Sequence, residues 1–300
     1  MKKANSLLNS IFCVAEEKVP DHGEDCFYYE VKDDSFVIAS FDGCGGSGSK
    51  KYANYSGKTG AYVASRAVCG GVKSWFCDGG EDSKLKEYVD KALCVCTGYA
   101  DSVGRMLGSL GKAFPTTASI IKSDLFKGKM EITLFWAGDS RCYMLDTDGL
   151  HQLTEDDLDG QDAMTNLTND GVMTNVINAS TSFEIHSKKL TVEHPCILIT
   201  ATDGCFGYLG SPMEFEYMLT NSLEGSQNIL AWKKTLYQSM KEVSGDDYTL
   251  CAALCGFSDF EDVKSTFAER NRFVYDEYIN SQKDVHDMWN VYKEKYSLYL

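Results

Sequence analysis

Proline is scarce in this 300-residue chain, with 4 residues, while 12% of the residues are aromatic. That combination excludes a disordered or low-complexity chain, which lacks the material for a core. Basic residues are also short. Lys and Arg number 29 against 44 Asp and Glu, a formal net charge of −15. No nucleic-acid partner and no anionic membrane surface is expected, since both call for clustered positive charge. No apolar run approaches the roughly 18 residues that a membrane helix needs. The N-terminal stretch MKKANSLLNSIFCVAEE has two lysines but a short, interrupted apolar segment, unlike a secretory leader. Cysteines number 12, well below the density of a disulfide scaffold. No Cys-x2-Cys or paired-His pattern marks a structural zinc. Cys13, Cys26, Cys196, Cys251 and Cys255 lie in apolar runs and read as small buried hydrophobes. A reduced, cytoplasmic protein is the expectation.

What the chain does have is a series of short apolar runs bounded by turn residues. Residues 10–17, 26–32, 35–41, 115–122, 130–137, 141–145, 183–190, 196–202 and 248–256 read as strands. Helices are predicted near 49–76, 84–111, 212–222 and 226–243. Strands and helix pairs come in blocks rather than in βαβ alternation. That order predicts an α+β fold of antiparallel sheets packed against helices. Two units are expected: a domain over 1–257 and a helical extension over 258–300 packed on it. In that extension Val263, Phe267, Val274, Tyr278, Val285, Trp289, Tyr292 and Tyr296 recur at helical spacing, either as a face packed on the domain or as a surface for association.

Asp-Gly occurs six times, and most such pairs are turns. Two of them end long apolar runs: FVIASF-Asp42-Gly43 and CILITAT-Asp203-Gly204. A carboxylate there sits at the rim of the core, and the following Gly lets its carbonyl approach a cation. Glu24 and Asp25 directly precede the strand CFYYEVK, and Asp246 and Asp247 precede YTLCAALC. Asp139 lies between two strands, as a hairpin turn or as a fifth acidic position. Carboxylates converging at one end of a sheet packing repel unless a cation neutralises them. Hard ions such as Mg²⁺ or Mn²⁺ take such oxygen ligands. A multi-metal carboxylate site suits phosphate-ester hydrolysis.

Taken in order, Glu24-Asp25, Asp42-Gly43-Cys44-Gly45-Gly46, Thr116-Thr117-Ala118, Trp136-Ala137-Gly138-Asp139-Ser140-Arg141, Leu153-Thr154-Glu155-Asp156, Ala201-Thr202-Asp203-Gly204 and Asp246-Asp247-Tyr248-Thr249 resemble the motifs of bacterial-like metal-dependent Ser/Thr protein phosphatases of the PPM, or type 2C, family. The resemblance spans roughly residues 10–257. It implies a β-sandwich of two antiparallel sheets flanked by helix pairs, four layers in the order α-β-β-α. It implies hydrolysis of phosphoserine and phosphothreonine in a phosphoprotein substrate by a metal-bridging hydroxide, without a phosphoenzyme. Two Mn²⁺ or Mg²⁺ ions are implied. Asp42 would bridge them and the Gly43 carbonyl would bind one. Asp203 and Asp246 would complete one ion, and Glu24 and Asp25 would serve the other. Asp139, with Asp203, would hold a third, weaker ion. Asp42, Asp203 and Asp246 would act catalytically through metal-bound water.

The chain departs from the family at several points. The family often carries an Arg five positions before the second acid of the Glu-Asp pair, gripping the substrate phosphate; here Pro20 stands there. His22 is the nearby candidate, with a solvated loop as the alternative reading. Cys44 stands where animal members carry a His, and is either an oxidation-sensitive thiol or a passive filler. Residues 158–182, rich in Asn, Asp, Gly and Thr, occupy the place of a flap and read as a loop with one short helix. Other chemistries are unsupported. No Cys is followed by Arg six positions later, Gly57-Lys58-Thr59 lacks the first glycine of a P-loop, and no Gly-x-Ser-x-Gly elbow occurs. The remaining alternative is a catalytically weak or silent PPM-like domain serving as a binding or regulatory module. A monomer is expected, with tail-mediated association as the other possibility.

Overall fold

The computed structural model describes residues 7–100, 113–126, 129–159, 162–168, 171–192 and 195–300. One five-stranded sheet contains β1 (Leu8–Glu16), β8 (Arg141–Asp146), β9 (Gly149–Gln152), β11 (Cys196–Ala201) and β12 (Tyr248–Cys255), ordered β1-β12-β11-β8-β9. The other contains β2 (Cys26–Lys32), β3 (Ser35–Phe41), β6 (Ala118–Phe126), β7 (Lys129–Ala137) and β10 (His186–Val192), ordered β10-β7-β6-β3-β2. Every neighbouring pair in both is antiparallel. A two-stranded hairpin, β4 (Lys51–Tyr52) and β5 (Lys58–Thr59), stands apart.

Side-chain alternation builds the layers. In β3, Val37, Ala39 and Phe41 face a cluster shared with α2 (Gly60–Cys77) and α3 (Leu85–Tyr99), while Phe36 and Ile38 face the other sheet. In β12, Cys251, Ala253 and Cys255 join that inter-sheet layer. Tyr248, Leu250, Ala252 and Leu254 pack instead towards α5 (Pro212–Glu224) and α6 (Ile229–Val243). A strand covered on both faces has no polar side, which is why β12 reads as a continuous apolar run. The result is an α+β sandwich of four layers, α-β-β-α. The shorter helices are α1 (Gly45–Gly48) and α4 (Thr165–Thr168). The C-terminal region folds as α7 (Phe260–Val274), a π-helical turn (Tyr275–Ile279) and α8 (Val285–Tyr296). Val263, Phe267, Trp289, Tyr292 and Tyr296 are buried in the α5/α6 cluster. Its polar anchor is Glu216 of α5, fully buried, whose carboxylate accepts from Arg270 Nε at 2.5 Å and from the Tyr292 hydroxyl at 2.5 Å.

Some elements differ from the sequence reading. The helix expected over 49–76 starts only at Gly60. Ser56 and Gly57 both adopt positive φ and turn the chain into the β4–β5 hairpin, after which the Thr59 hydroxyl caps α2 by accepting Tyr62 N–H at 3.1 Å. The strand expected from 115 starts at Ala118, because Thr117 N–H donates to the Asp42 carbonyl at 2.8 Å instead of joining the β6–β7 ladder. The strand expected from 183 starts at His186, because the Asn175 side chain takes both backbone groups of Glu184. Strand β9 was not expected: His151 and Gln152 break its apolar run, and both are buried on partners, Asp146 and Asp156. The helix expected over 84–111 is seen over Leu85–Tyr99, and its remainder from 101 lies outside the described residues. Cys26, expected to be buried, is only partly so, because β2 is an edge strand. All twelve cysteines are free. Among the described residues no helix is long and apolar enough to cross a membrane.

Candidate functional site

Register alone brings the acidic strand ends together. Cys26, the first residue of β2, pairs with Phe41, the last of β3, so Glu24-Asp25 lie beside Asp42-Gly43. In the facing sheet Ala201 of β11 pairs with both Leu250 of β12 and Arg141 of β8. That sets Asp203 near Asp246-Asp247 on one side and near Asp139 on the other. The Ser40 and Thr200 hydroxyls lie 2.9 Å apart across the sandwich and align the ends of β3 and β11.

Two close backbone approaches hold this end of the sandwich. A Cβ at Gly43 would lie 2.6 Å from the Ala61 carbonyl oxygen of α2, and one at Gly204 would lie 1.9 Å from the Asp247 carbonyl oxygen. Thr202 joins the sheets: its hydroxyl donates to Asp25 Oδ2 at 2.8 Å and accepts Thr249 N–H at 2.9 Å. Asp247 ties down the loop before β2, accepting Lys18 N–H on one oxygen and Glu24 N–H on the other, both at 2.7 Å. Glu24 Oε1 accepts from the Thr59 hydroxyl.

The carboxylates sense one another. Burial, and then the charges of Asp203, Asp25, Asp139 and Asp246, push the Asp42 carboxyl well above its ordinary range. Asp25 is likewise raised by burial, with Asp203 and Asp247 adding and the Thr202 hydrogen bond opposing. Burial and then Asp203 and Asp156 push Asp139 up to about 8. Glu24 is raised by burial against the Thr59 hydrogen bond. Asp139 Oδ1 is buried with no hydrogen-bond partner and belongs to a residue lining a cavity of ≈ 330 Å³ together with Asp203, Arg141 and Asp156. Such an orphaned anionic oxygen wants a donor or a cation. The donor set is hard oxygen throughout, and it fits Mg²⁺ or Mn²⁺. Among the described residues, no three His, Cys, Asp or Glu side chains already stand arranged to hold an ion.

Asp139 is positioned from below. Arg141 is buried and binds Asp156 through two hydrogen bonds, Nε–Oδ1 at 2.9 Å and Nη2–Oδ2 at 2.6 Å. Asp157 Oδ2 accepts Gly138 N–H at 2.8 Å, and Asp157 Oδ1 lies 2.8 Å from His186 Nε2. Asp246 is exposed, and its Oδ1 accepts the Asp247 N–H at 2.8 Å. His22 is an exposed loop residue whose backbone N–H donates to the Val19 carbonyl. Pro20 lines a cavity of ≈ 450 Å³ with Asp25, Thr249 and Arg66 of α2. The sequence motifs include Thr202 and Asp247 without their bridging roles, and Arg66 and Asp157 lie outside them. The neighbouring Asp-Asp pair was a signal for Asp247; Arg66 belongs to no motif.

No protein-family profile matches the sequence, and no curated protein does. Solved structures do match. The PPM Ser-Thr phosphatase MsPP from Mycobacterium smegmatis, in complex with cacodylate, aligns with a TM-score of 0.58 at 13% identity, over 83% of this chain and 99% of that one. Serine/threonine phosphatase Stp1 from Staphylococcus aureus aligns with a TM-score of 0.59 at 17% identity, over 85% and 98%. The catalytic domain of serine threonine protein phosphatase PstP, in complex with 2 manganese ions, gives 0.56 at 17%, over 82% and 97%. This chain has the PPM phosphatase fold. At such identities the likeness establishes the PPM fold and leaves the chemistry to the residues. The shares covered put almost the whole of each PPM chain within this one.

Proposed function

We propose that the protein hydrolyses phosphoserine and phosphothreonine in proteins with the help of divalent cations. One observation carries the reading: acids from four separate strand ends and one β7–β8 turn converge at one end of the sandwich, with Asp139 Oδ1 buried and unpartnered. Clustered carboxylates without cations destabilise the fold they sit in, so their convergence makes sense where cations are bound. Asp42, the Gly43 carbonyl, Asp203, Asp246, Glu24 and Asp25 would hold two ions of Mn²⁺ or Mg²⁺, and Asp139 with Asp203 a third. Such ions, when bound, polarise phosphoryl oxygens and acidify water. The remaining work falls to the chain. Thr202 holds the Asp25 carboxylate in one orientation. Asp247 fixes the backbone of Glu24. The Arg141–Asp156 pair and Asp157 fix the turn that carries Asp139. Residues 258–300 complete the α5/α6 side as an extension of a 1–257 phosphatase domain, in a monomer working in the cytoplasm.

A second reading, a silent PPM-like module, draws support from the lack of a preformed trio of ligands among the described residues. One experiment separates the two: phosphate release from a phosphothreonine peptide, with Mn²⁺ or Mg²⁺, compared with Asp203→Asn. Release that depends on the ion and disappears in Asp203→Asn is expected. No release above the variant with either ion overturns the enzyme, and calorimetry showing no Mn²⁺ or Mg²⁺ binding leaves only the module.

A further inference from the structure

A phosphomonoester is a dianion, and the proposed site is built from carboxylates in a protein of net charge −15. Cations alone must be shared between those acids and the substrate, so a fixed positive side chain at the mouth gives the phosphate a partner of its own. The loop before β2 offers none: Pro20 lines the cavity beside Asp25, and His22 is exposed. Lys18 and Lys58 do not line that cavity: Lys18 Nζ donates to the Ser244 carbonyl at 3.0 Å, and Lys58 Nζ donates to the Asp21 carbonyl. Arg141 is buried and consumed by Asp156.

Arg66 is different. It reaches from α2 into the cavity that holds Pro20, Asp25 and Thr249. Its guanidinium lies 3.5 Å over the Tyr62 ring, one helical turn earlier. Nη2 donates to the Gly23 carbonyl at 3.0 Å, and Nη1 donates to the Glu24 carbonyl at 3.2 Å and the Tyr62 carbonyl at 3.3 Å, with Ser65 Oγ at 3.1 Å. These bonds hold the guanidinium plane through its Nη atoms and against neutral acceptors, so its charge is not neutralised by a paired carboxylate. Nε lies outside them. A guanidinium fixed in this way is preorganised for an oxyanion, because little rotamer freedom remains to be lost on binding.

We propose that Arg66 receives the phosphoryl group of the substrate, a helix-borne arginine at the cavity where the loop carries Pro20. This rests on the hydrolase reading, and it names the residue that recognises the phosphomonoester.

The test is steady-state hydrolysis of para-nitrophenyl phosphate with Mn²⁺ by wild type, Arg66→Lys and Arg66→Met, with inorganic phosphate as a competitive inhibitor. The expected result for Arg66→Met is a KM and a phosphate Ki both raised about 10-fold to 100-fold, the range of a lost charged hydrogen bond, with kcat within about 3-fold. Arg66→Lys keeps the charge without the fork, and should fall between. A kcat that drops while KM and Ki stay put overturns the proposal, because Arg66 then only holds the Gly23 and Glu24 carbonyls. Unchanged KM and Ki overturn it equally. If Arg66→Met fails to fold, Arg66→Lys decides: a raised Ki supports the proposal and an unchanged one refutes it. Wild type without turnover defeats the hydrolase reading instead. Calorimetric titration of inorganic phosphate into wild type and Arg66→Lys then judges Arg66 alone: weaker binding in the variant supports it, equal binding refutes it.

Discussion

Replacing Asp139 with Asn should stabilise the metal-free protein, and the gain should depend on pH in a defined direction. Asp139 Oδ1 is buried without a partner, and burial with Asp203 and Asp156 raises the carboxyl from 3.8 to about 8. If borne wholly by the folded state, that corresponds to roughly 6 kcal/mol. Relaxation and water entry reduce such values by a factor of about two to three, leaving about 2–3 kcal/mol. The sign follows from linkage. The folded carboxyl keeps a proton that the unfolded chain has released, so its contribution to stability falls as pH rises from about 4 to about 8, and is level outside that window. Asn cannot ionise, so the advantage of Asp139→Asn is near zero at about pH 4 and largest at about pH 8 and above. For a chain of 300 residues, about 2 kcal/mol raises Tm by about 3 °C. The assay is thermal unfolding in EDTA at several pH values between about 4.5 and 8.5. An unchanged Tm at pH 8, or a gain that does not vary with pH, would refute the claim that this acid is held buried against its own charge. Excess Mn²⁺ should shrink the gap, since a bound cation relieves wild type and not the variant.

Three further outcomes follow from the same geometry. Asp156→Ala should destabilise by about 3–5 kcal/mol in urea unfolding, because it strands the buried Arg141 guanidinium; a loss under about 1 kcal/mol counts against a structural pair. Gly204→Ala should lower stability by at least about 1–3 kcal/mol, since its Cβ would lie 1.9 Å from the Asp247 carbonyl; wild-type Tm and activity would show that the approach is not tight. A chain ending at residue 257 should aggregate on gel filtration, because it uncovers the α5 face that packs on Phe267, Trp289 and Tyr292 and leaves Glu216 buried without Arg270. A monomeric fragment with wild-type Tm would make 258–300 dispensable to the core.

Much of the sandwich was legible because strands buried on both faces leave a continuous apolar signal. SFVIASF over 35–41 matches β3 residue for residue, and CFYYEVK over 26–32 matches β2. Most of the misses share a cause: a partner outside the local pattern takes a backbone group or lets a polar side chain be buried. Thr117 N–H bonds to Asp42, Asn175 bonds to Glu184, and His151 and Gln152 are buried on carboxylates in β9. None of these partners is near in sequence in a way that periodicity detects. The hairpin inside the predicted 49–76 helix was signalled by Ser56-Gly57, a pair suited to positive φ, but outweighed by the apolar residues around it.

The candidate site divides along the same line. A carboxylate at a strand end has its position dictated by topology: antiparallel neighbours pair last residue with first, as Phe41 does with Cys26, so acids flanking alternate strands must share one end. That much follows from sequence once the strands are placed. A cation on a helix has no such constraint, and its location depends on the rotation of the helix. In α2 the buried stripe Ala61, Ala64, Val68, Val72 and Trp75 fixes that rotation against β3. Tyr62 and Arg66 then fall together on the flank of the stripe, four residues apart, directed towards the loop before β2. Arg66 was therefore readable in principle from periodicity rather than from motif, provided the helix was begun at Gly60 and its stripe assigned to the sheet. The carboxylates announce where positive charge is needed, and the phase of the nearest helix says which residue can supply it.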